Sequence, residues 1–161
     1  MQDLTEVAPA FVEMAHRIVW CVVATTDQQG NPSTRVLHPV WEWDGERLTG
    51  WIATSPLAPK AEHIARTPTV SLTYWAPDHD TCTAECAVEW DDTPELRRDG
   101  WQRFVEAPAP VGYDPSMVPA WTSPEVPAFG VLRLHPHRLR LMPGSLMLRG
   151  EGELLTWSTQ R

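Results

Sequence analysis

The run Ser55-Pro56-Leu57-Ala58-Pro59-Lys60 interrupts a strand-rich sequence with two prolines and a lysine. Proline suits the first position of a helix, where its missing N–H has no intrahelical partner, so Pro59 there places Ala58 at the cap. Alanine gives the free backbone donors of the first turn no side-chain acceptor, and a lysine in that turn opposes the helix dipole. Both features suit an anion: the donors near Lys60 and Ala61, and the ammonium itself, would meet a phosphate. The competing reading is that water, Thr54 or Ser55 satisfies these donors and that Lys60 points into solvent.

Other reactive residue types cluster less convincingly. The segment DHDTC brings Asp78, His79, Asp80 and Cys82 together, with Cys86 four positions on. Alternation along a strand sends neighbours to opposite faces, and the Cys82–Cys86 gap is not that of a zinc knuckle, so no metal site is expected. There is no G-x-S-x-G elbow, H-E-x-x-H pair, phosphate loop or dinucleotide fingerprint; GEG at 150–152 lacks the third glycine. A hydrolase gains no support, and no residue declares itself catalytic. His63, three positions after Lys60, reads as a surface residue.

The elements that would position these groups are mainly strands. Val7, Phe11, Met14, Ala15 and Ile18 follow helical spacing, which predicts a helix over about 5–16 with Thr5 as a cap. The β-branched run RIVWCVVATT leads into a turn at Gly30 and Pro32, and a strand follows over about 33–43. DGE at 44–46 turns the chain back into a strand over 47–53. In the 33–43 strand Arg35, Leu37, Pro39 and Trp41 share one face, and Thr34, Val36, His38 and Val40 the other. Both faces are partly apolar, as for a barrel wall covered on its outside. After a helix over 59–66, TVSLTYW and TCTAECAVEWDD read as strands. Pro94 then opens a helix capped by Asp92 or Thr93. Six prolines between Pro108 and Pro127 imply a long ordered loop or wrapping arm. FGVLRLHPHRLRLM and GSLMLRGEGELLTWS both look like strands, separated by a turn at Pro143-Gly144.

Composition narrows the partners. With 161 residues the chain suits a single domain, over 1–161. Thirteen basic against 21 acidic residues give −8, the wrong sign for a nucleic-acid backbone, so a small-molecule partner is expected. No apolar run reaches the length of a membrane span and the N-terminus is acidic, which together predict a cytoplasmic protein that does not enter a membrane. Three cysteines, Cys21, Cys82 and Cys86, form no disulfide framework and should stay reduced. Nine tryptophans are enough to line a pocket or a subunit interface, which hints at a dimer.

TRVLHPVW, WIATSPLAPKAEHI and TPTVSLTYW, in this order and spacing, resemble the core of the pyridoxamine 5′-phosphate oxidase-like family over about residues 18–92. The resemblance implies a mostly β (α+β) fold, a six-stranded antiparallel split β-barrel with flanking helices. It also implies a homodimer with FMN, or in related branches the deazaflavin coenzyme F-420, in the groove between subunits. Arg35, Val36 and Leu37 would meet the flavin ring and phosphate, with Ala53 and Thr54 at a strand end beside them. Lys60 would bind the phosphate, and Thr81 would stand where the partner subunit approaches the ring. His38, on the same strand, would either donate to a substrate or flavin oxygen or pack within the barrel. Ala58 and Pro59 replace the Ser-Arg that often precedes the family's lysine, and the strand arginine is shifted by one position. Both departures remove phosphate ligands and speak against oxidation of pyridoxamine phosphate itself. The expected activity is flavin- or deazaflavin-dependent oxidoreduction of a small molecule, the alternative a non-catalytic flavin- or haem-binding protein of the same fold.

Overall fold

Alternation writes most of the sheet into the sequence. Along Thr69–Trp75, Val70, Leu72 and Tyr74 are buried while the residues between them are exposed. Thr81–Trp90 likewise buries Cys82, Ala84, Cys86 and Val88. The computed structural model describes residues 2–159. In chain order its elements are α1 (Leu4–Ile18), β1 (Cys21–Thr26), β2 (Pro32–Leu37), β3 (Val40–Trp43), β4 (Leu48–Ala53) and α2 (Lys60–Arg66). There follow β5 (Thr69–Trp75), β6 (Thr81–Trp90), α3 (Pro94–Glu106), β7 (Val131–Met142), α4 (Gly144–Arg149) and β8 (Leu155–Ser158), with one 3₁₀ turn at Pro115–Met117. No helix among the described residues is long and apolar enough to cross a membrane.

Every strand pairing is antiparallel, in the order β2-β1-β5-β6-β7-β4-β3, with β8 added beside β7. The class is as expected, mostly β with flanking helices, but the sheet has eight strands rather than six. One reason lies at His38-Pro39: proline has no N–H to give a ladder, and the strand expected over 33–43 breaks there into β2 and β3. The face assignment survives the break, since Leu37 and Trp41 both pack toward the interior and Val40 lies outside. The C-terminal segment also departs from the sequence reading, without adding a strand. GSLMLR, read as strand, forms the short helix α4, ended by Gly150 in the left-handed conformation, and only Leu155–Ser158 pairs. Within β7, Pro136 is accommodated by a bulge that leaves His137 without an opposite residue on β6.

Two apolar layers hold this sheet. The inner one gathers Phe11 of α1, Trp41, Tyr74, Leu72, Ile52 and Leu134 around the barrel axis. Phe11 meets Trp41 and Tyr74 edge-on, with ring centroids 5.0 and 6.2 Å away. Trp41 donates its indole N–H to the Tyr74 hydroxyl at 2.8 Å, so the polar atoms of both rings are satisfied inside the core. Gly50 is forced by this packing, because a Cβ there would sit 2.7 Å from the Trp41 ring. Cys21, Cys82 and Cys86 are free and buried, and burial pushes the Cys21 thiol up to about 12. The outer layer places Val40, Trp51 and Ala53 under Phe104 of α3 and under Val111 and Phe129 of the proline-rich arm. That second layer is why the strands carry apolar residues on both faces.

The helix ends refine the sequence reading. Asp3, not Thr5, occupies the cap position of α1, without a side-chain cap bond; of the two candidates for α3, Asp92 and Thr93, it is Thr93 that caps, accepting from the Leu96 N–H at 3.2 Å. Pro59 occupies the cap of α2 and the helix begins at Lys60, so Ala58 stands outside it. The Ala61 N–H expected to be free instead donates to the Ala58 carbonyl at 2.9 Å, closing a tight turn at the entrance.

Candidate functional site

β2 and β3 are separated in sequence only by His38 and Pro39, yet they occupy opposite ends of the strand order. The sheet therefore curls until its two edges meet at this dipeptide without pairing, and the barrel is split along that seam. The His38 ring is held between Trp20 and Tyr113, with centroids 5.0 Å from each. Its Nε2 is buried and has no hydrogen-bond partner among the described residues. Beside it opens a cleft of about 380 Å³, walled by Val36, Leu37, His38 and Ala53 from the sheet and by Tyr113, Met117 and Trp121 from the arm. Its lining includes no charged side chain apart from the titratable imidazole. The end of the arm is tied to the sheet by the Thr54 N–H donating to the Gly130 carbonyl at 2.9 Å, and the arm is braced internally by the Trp121 indole donating to the Ala128 carbonyl at 2.9 Å.

One residue before Val36 the chemistry changes. The Arg35 guanidinium turns back over β1 and donates to the carbonyls of Val23 and Ser33 and to the Thr25 hydroxyl, at 3.1, 3.0 and 2.8 Å. Lys60, half-buried at the start of α2, stands close enough that Arg35 depresses its pKa, adding to the larger effect of burial. Neither cation forms an ion pair among the described residues. Two like charges held together and partly desolvated, without a carboxylate in an acidic chain, cost free energy that an anion would recover.

Of the residues named from sequence, Val36, Leu37, His38 and Ala53 converge on the cleft; Arg35 and Lys60 do not line it and form a cationic pair where β2 and α2 meet β1. Thr54 is buried and acts through its backbone by anchoring the arm. Thr81 does not line the cleft; it opens β6 opposite Trp75, and its hydroxyl reaches the Met142 carbonyl at 3.4 Å. His63 is not a plain surface residue, since its Nδ1 lies 2.9 Å from the Thr25 hydroxyl. Two of the nine tryptophans, Trp20 and Trp121, line the cleft. Tyr113, Trp20 and Trp121 have no short-range signal that would assign them to it, because only the curl of the sheet and the path of the arm bring them there.

The seam is also where acid should act. His16, in the last turn of α1, accepts the Trp41 backbone N–H at 2.9 Å through Nε2 and so requires that nitrogen unprotonated. Burial and the neighbouring His38 lower its pKa against a smaller opposing pull from Glu42; burial likewise lowers that of His38, opposed by a hydrogen bond to the Val111 backbone. The unfolded chain then binds these protons more readily than the folded one, so stability is full above the ordinary histidine value of 6.5 and falls as pH drops below it. Urea midpoints should be lower at about pH 5.5 than at about 7.5. His16→Gln, whose amide oxygen accepts the same N–H without titrating, should remove part of the drop; an unchanged midpoint in the wild type would refute the assignment.

Comparison with known proteins points in one direction. The family model described as pyridoxamine 5′-phosphate oxidase matches residues 7–143. Among solved structures, the chain is similar to a protein related to general stress protein 26 from Clostridium acetobutylicum, with 12% identity, 96% of this chain and 94% of that one covered, and a TM-score of 0.68. It is also similar to a pyridoxamine 5′-phosphate oxidase-related, FMN binding protein from Nostoc punctiforme, at 14% identity, 100% and 98% coverage and a TM-score of 0.66. A heme binding protein from Mycobacterium smegmatis aligns at 17% identity and a TM-score of 0.66, over 98% of this chain and 59% of that one. At these identities the likeness is one of fold. No curated protein matches the sequence significantly.

Proposed function

Given that the chain belongs to the pyridoxamine 5′-phosphate oxidase family, we propose that it is a homodimeric oxidoreductase that holds FMN at the seam and acts on a small molecule. The observation that carries this reading is the pair Arg35 and Lys60, two cations that form no ion pair among the described residues, with Arg35 on the same strand as Val36 and Leu37 of an apolar cleft. A phosphate suits the pair, and a flat ring suits the backbone of β2 at Val36 and Leu37 and the strand end at Ala53. β2 is an edge strand, so every second backbone group along it lacks a ladder partner and can bond a ring's polar rim. When bound, FMN supplies hydride and single-electron chemistry through its ring system. The chain's own contribution is to bind, to orient, and to exclude water with the arm residues Tyr113, Met117 and Trp121. A deazaflavin would use the same ring site, but its phosphodiester carries less charge for two cations to meet.

The second wall of the groove is a second copy of the chain. Val22 and Val36 are direct cross-strand neighbours, and both are exposed on the outer face of β1 and β2. Trp20 and Trp75, each more than half exposed, extend the same patch. Trp20 and Val36 also line the cleft, so the copy that covers the patch closes the site. Thr81 lies opposite Trp75 in the β5–β6 register and would face the partner's cleft across that interface. Light scattering at micromolar concentration should give a dimer, and Trp75→Glu should give monomers that bind FMN more weakly. A monomeric wild type would remove the groove.

Haem is the alternative occupant, favoured by the unpartnered Nε2 of His38 in an aromatic setting. Trp20 and Tyr113 cover that nitrogen, which places flavin first. Titration decides between them: FMN should quench Trp20 and Trp121 fluorescence and bind more tightly than riboflavin, whereas a Soret band with no response to FMN would favour haem.

A further inference from the structure

We propose that Thr25 and His63 are positioning residues that set Arg35 and Lys60 at the spacing needed by a phosphomonoester dianion. The inference rests on the FMN reading and assigns two residues that the sequence did not mark.

Arg35 is held in an unusual way. Its Nη1 donates to the Val23 and Ser33 carbonyls and to the Thr25 hydroxyl, and its Nη2 to the Ser33 hydroxyl at 3.2 Å. All four acceptors are neutral. A carboxylate would hold a guanidinium more strongly, but it would also cancel the charge and repel an incoming anion. Neutral acceptors fix the side chain and leave its charge uncompensated. They also occupy only part of the fork, since no hydrogen bond among the described residues uses Nε or the second proton of Nη2.

Thr25 connects this arginine to the lysine. The threonine is buried in β1, and its hydroxyl accepts from Arg35 at 2.8 Å while lying 2.9 Å from His63 Nδ1. With a neutral imidazole accepting at Nδ1, the hydroxyl gives its proton to that nitrogen; with a protonated one, the hydroxyl accepts from both sides. The link persists in either state. His63 and Lys60 are three residues apart on α2, hence on adjoining parts of one helical face. The Thr25–His63 bond therefore docks α2 on β1 and fixes the lysine as well as the arginine, from three separate elements: Arg35 on β2, Thr25 on β1, and Lys60 with His63 on α2.

The acids nearby pair with neither cation, although Asp27 is close enough to His63 for the two charges to interact. Asp27, in the β1–β2 turn, is engaged by the backbone N–H groups of Gln29 and Asn31 and by the Asn31 amide. Glu62, beside His63 on α2, is exposed and forms no ion pair with Lys60 or Arg35.

The test compares FMN and riboflavin, which differ by the phosphate alone, by fluorescence titration of the intact chain. Thr25→Val keeps the shape and deletes the hydroxyl; it should weaken FMN about tenfold and leave riboflavin within about twofold. His63→Leu should do the same. Thr25→Ser and His63→Gln, which restore a hydroxyl and a hydrogen-bonding side chain, should recover most of the preference for FMN. Equal losses for both ligands in Thr25→Val would show a merely structural role and overturn the inference. So would a preference lost in Lys60→Ala but kept in Thr25→Val and His63→Leu, which leaves the FMN reading standing. A wild type that binds riboflavin as well as FMN would overturn both.

Discussion

Lys60→Ala is expected to weaken FMN binding about ten- to a hundredfold and to leave riboflavin binding nearly unchanged. A charge-assisted hydrogen bond is worth about 1.5–3 kcal/mol, and each 1.4 kcal/mol is tenfold in affinity. The magnitude applies here because Lys60 is half-buried, like-charged Arg35 acts on it, and it forms no ion pair among the described residues, so its field is not spent on a protein carboxylate. The same fact predicts the control: removing one of two repelling cations should not lower the melting temperature of the ligand-free chain. Raising salt should reproduce part of the affinity loss through screening. Lys60→Arg keeps the charge with a different donor geometry and should fall between wild type and alanine. Titration of both ligands into the variants reads all of this, and equal losses for FMN and riboflavin would mean that Lys60 does not sense phosphate.

Phe11→Ala should be the most damaging single change to stability, at about 3–5 kcal/mol. The ring is fully buried and touches both partners of the Trp41–Tyr74 hydrogen bond. Its loss leaves a cavity that neither large ring can collapse into without breaking that bond. Domains of this size are stable by about 5–15 kcal/mol, so roughly a fifth or more of the total is at stake, or about 10 °C in melting temperature. Calorimetry would measure it. A loss below about 1 kcal/mol would mean that α1 frays independently of the barrel.

What the sequence disclosed follows from the range of the interactions. β5 and β6 were readable because a half-buried strand repeats every two residues, and Thr69–Trp75 keeps that repeat without a fault. Thr93 was readable as a cap because it bonds three residues ahead. The break at Pro39 was missed because the residues around it still alternate in the right phase, so the faces were correct although the ladder was not. α4 was missed because Leu146, Met147 and Leu148 suit a strand as well as a short helix, and the choice is made by Gly150 and by packing. Among the site residues, Lys60 stood out by type and local setting, and Arg35 only through the family resemblance. His63 did not, since its partner Thr25 lies 38 positions away and no spacing rule connects a helix to a strand at that distance. The aromatic wall of the cleft was hidden for the same reason.

The short join between β2 and β3 also governs the order in which the molecule can be assembled. The β1–β2 and β3–β4 hairpins close locally, but their meeting edges are held at the right distance only after β5, β6 and β7 fill the sheet between them. Loop-closure entropy must be met for every one of those pairings before the edges face each other, which makes the seam a late event on the folding path. A ligand held there finds no site in the transition state. It should therefore prolong the lifetime of the native protein by slowing unfolding and leave the rate of refolding unchanged. The site would then act as a clasp, contributing little to how fast the barrel forms and much to how long it lasts.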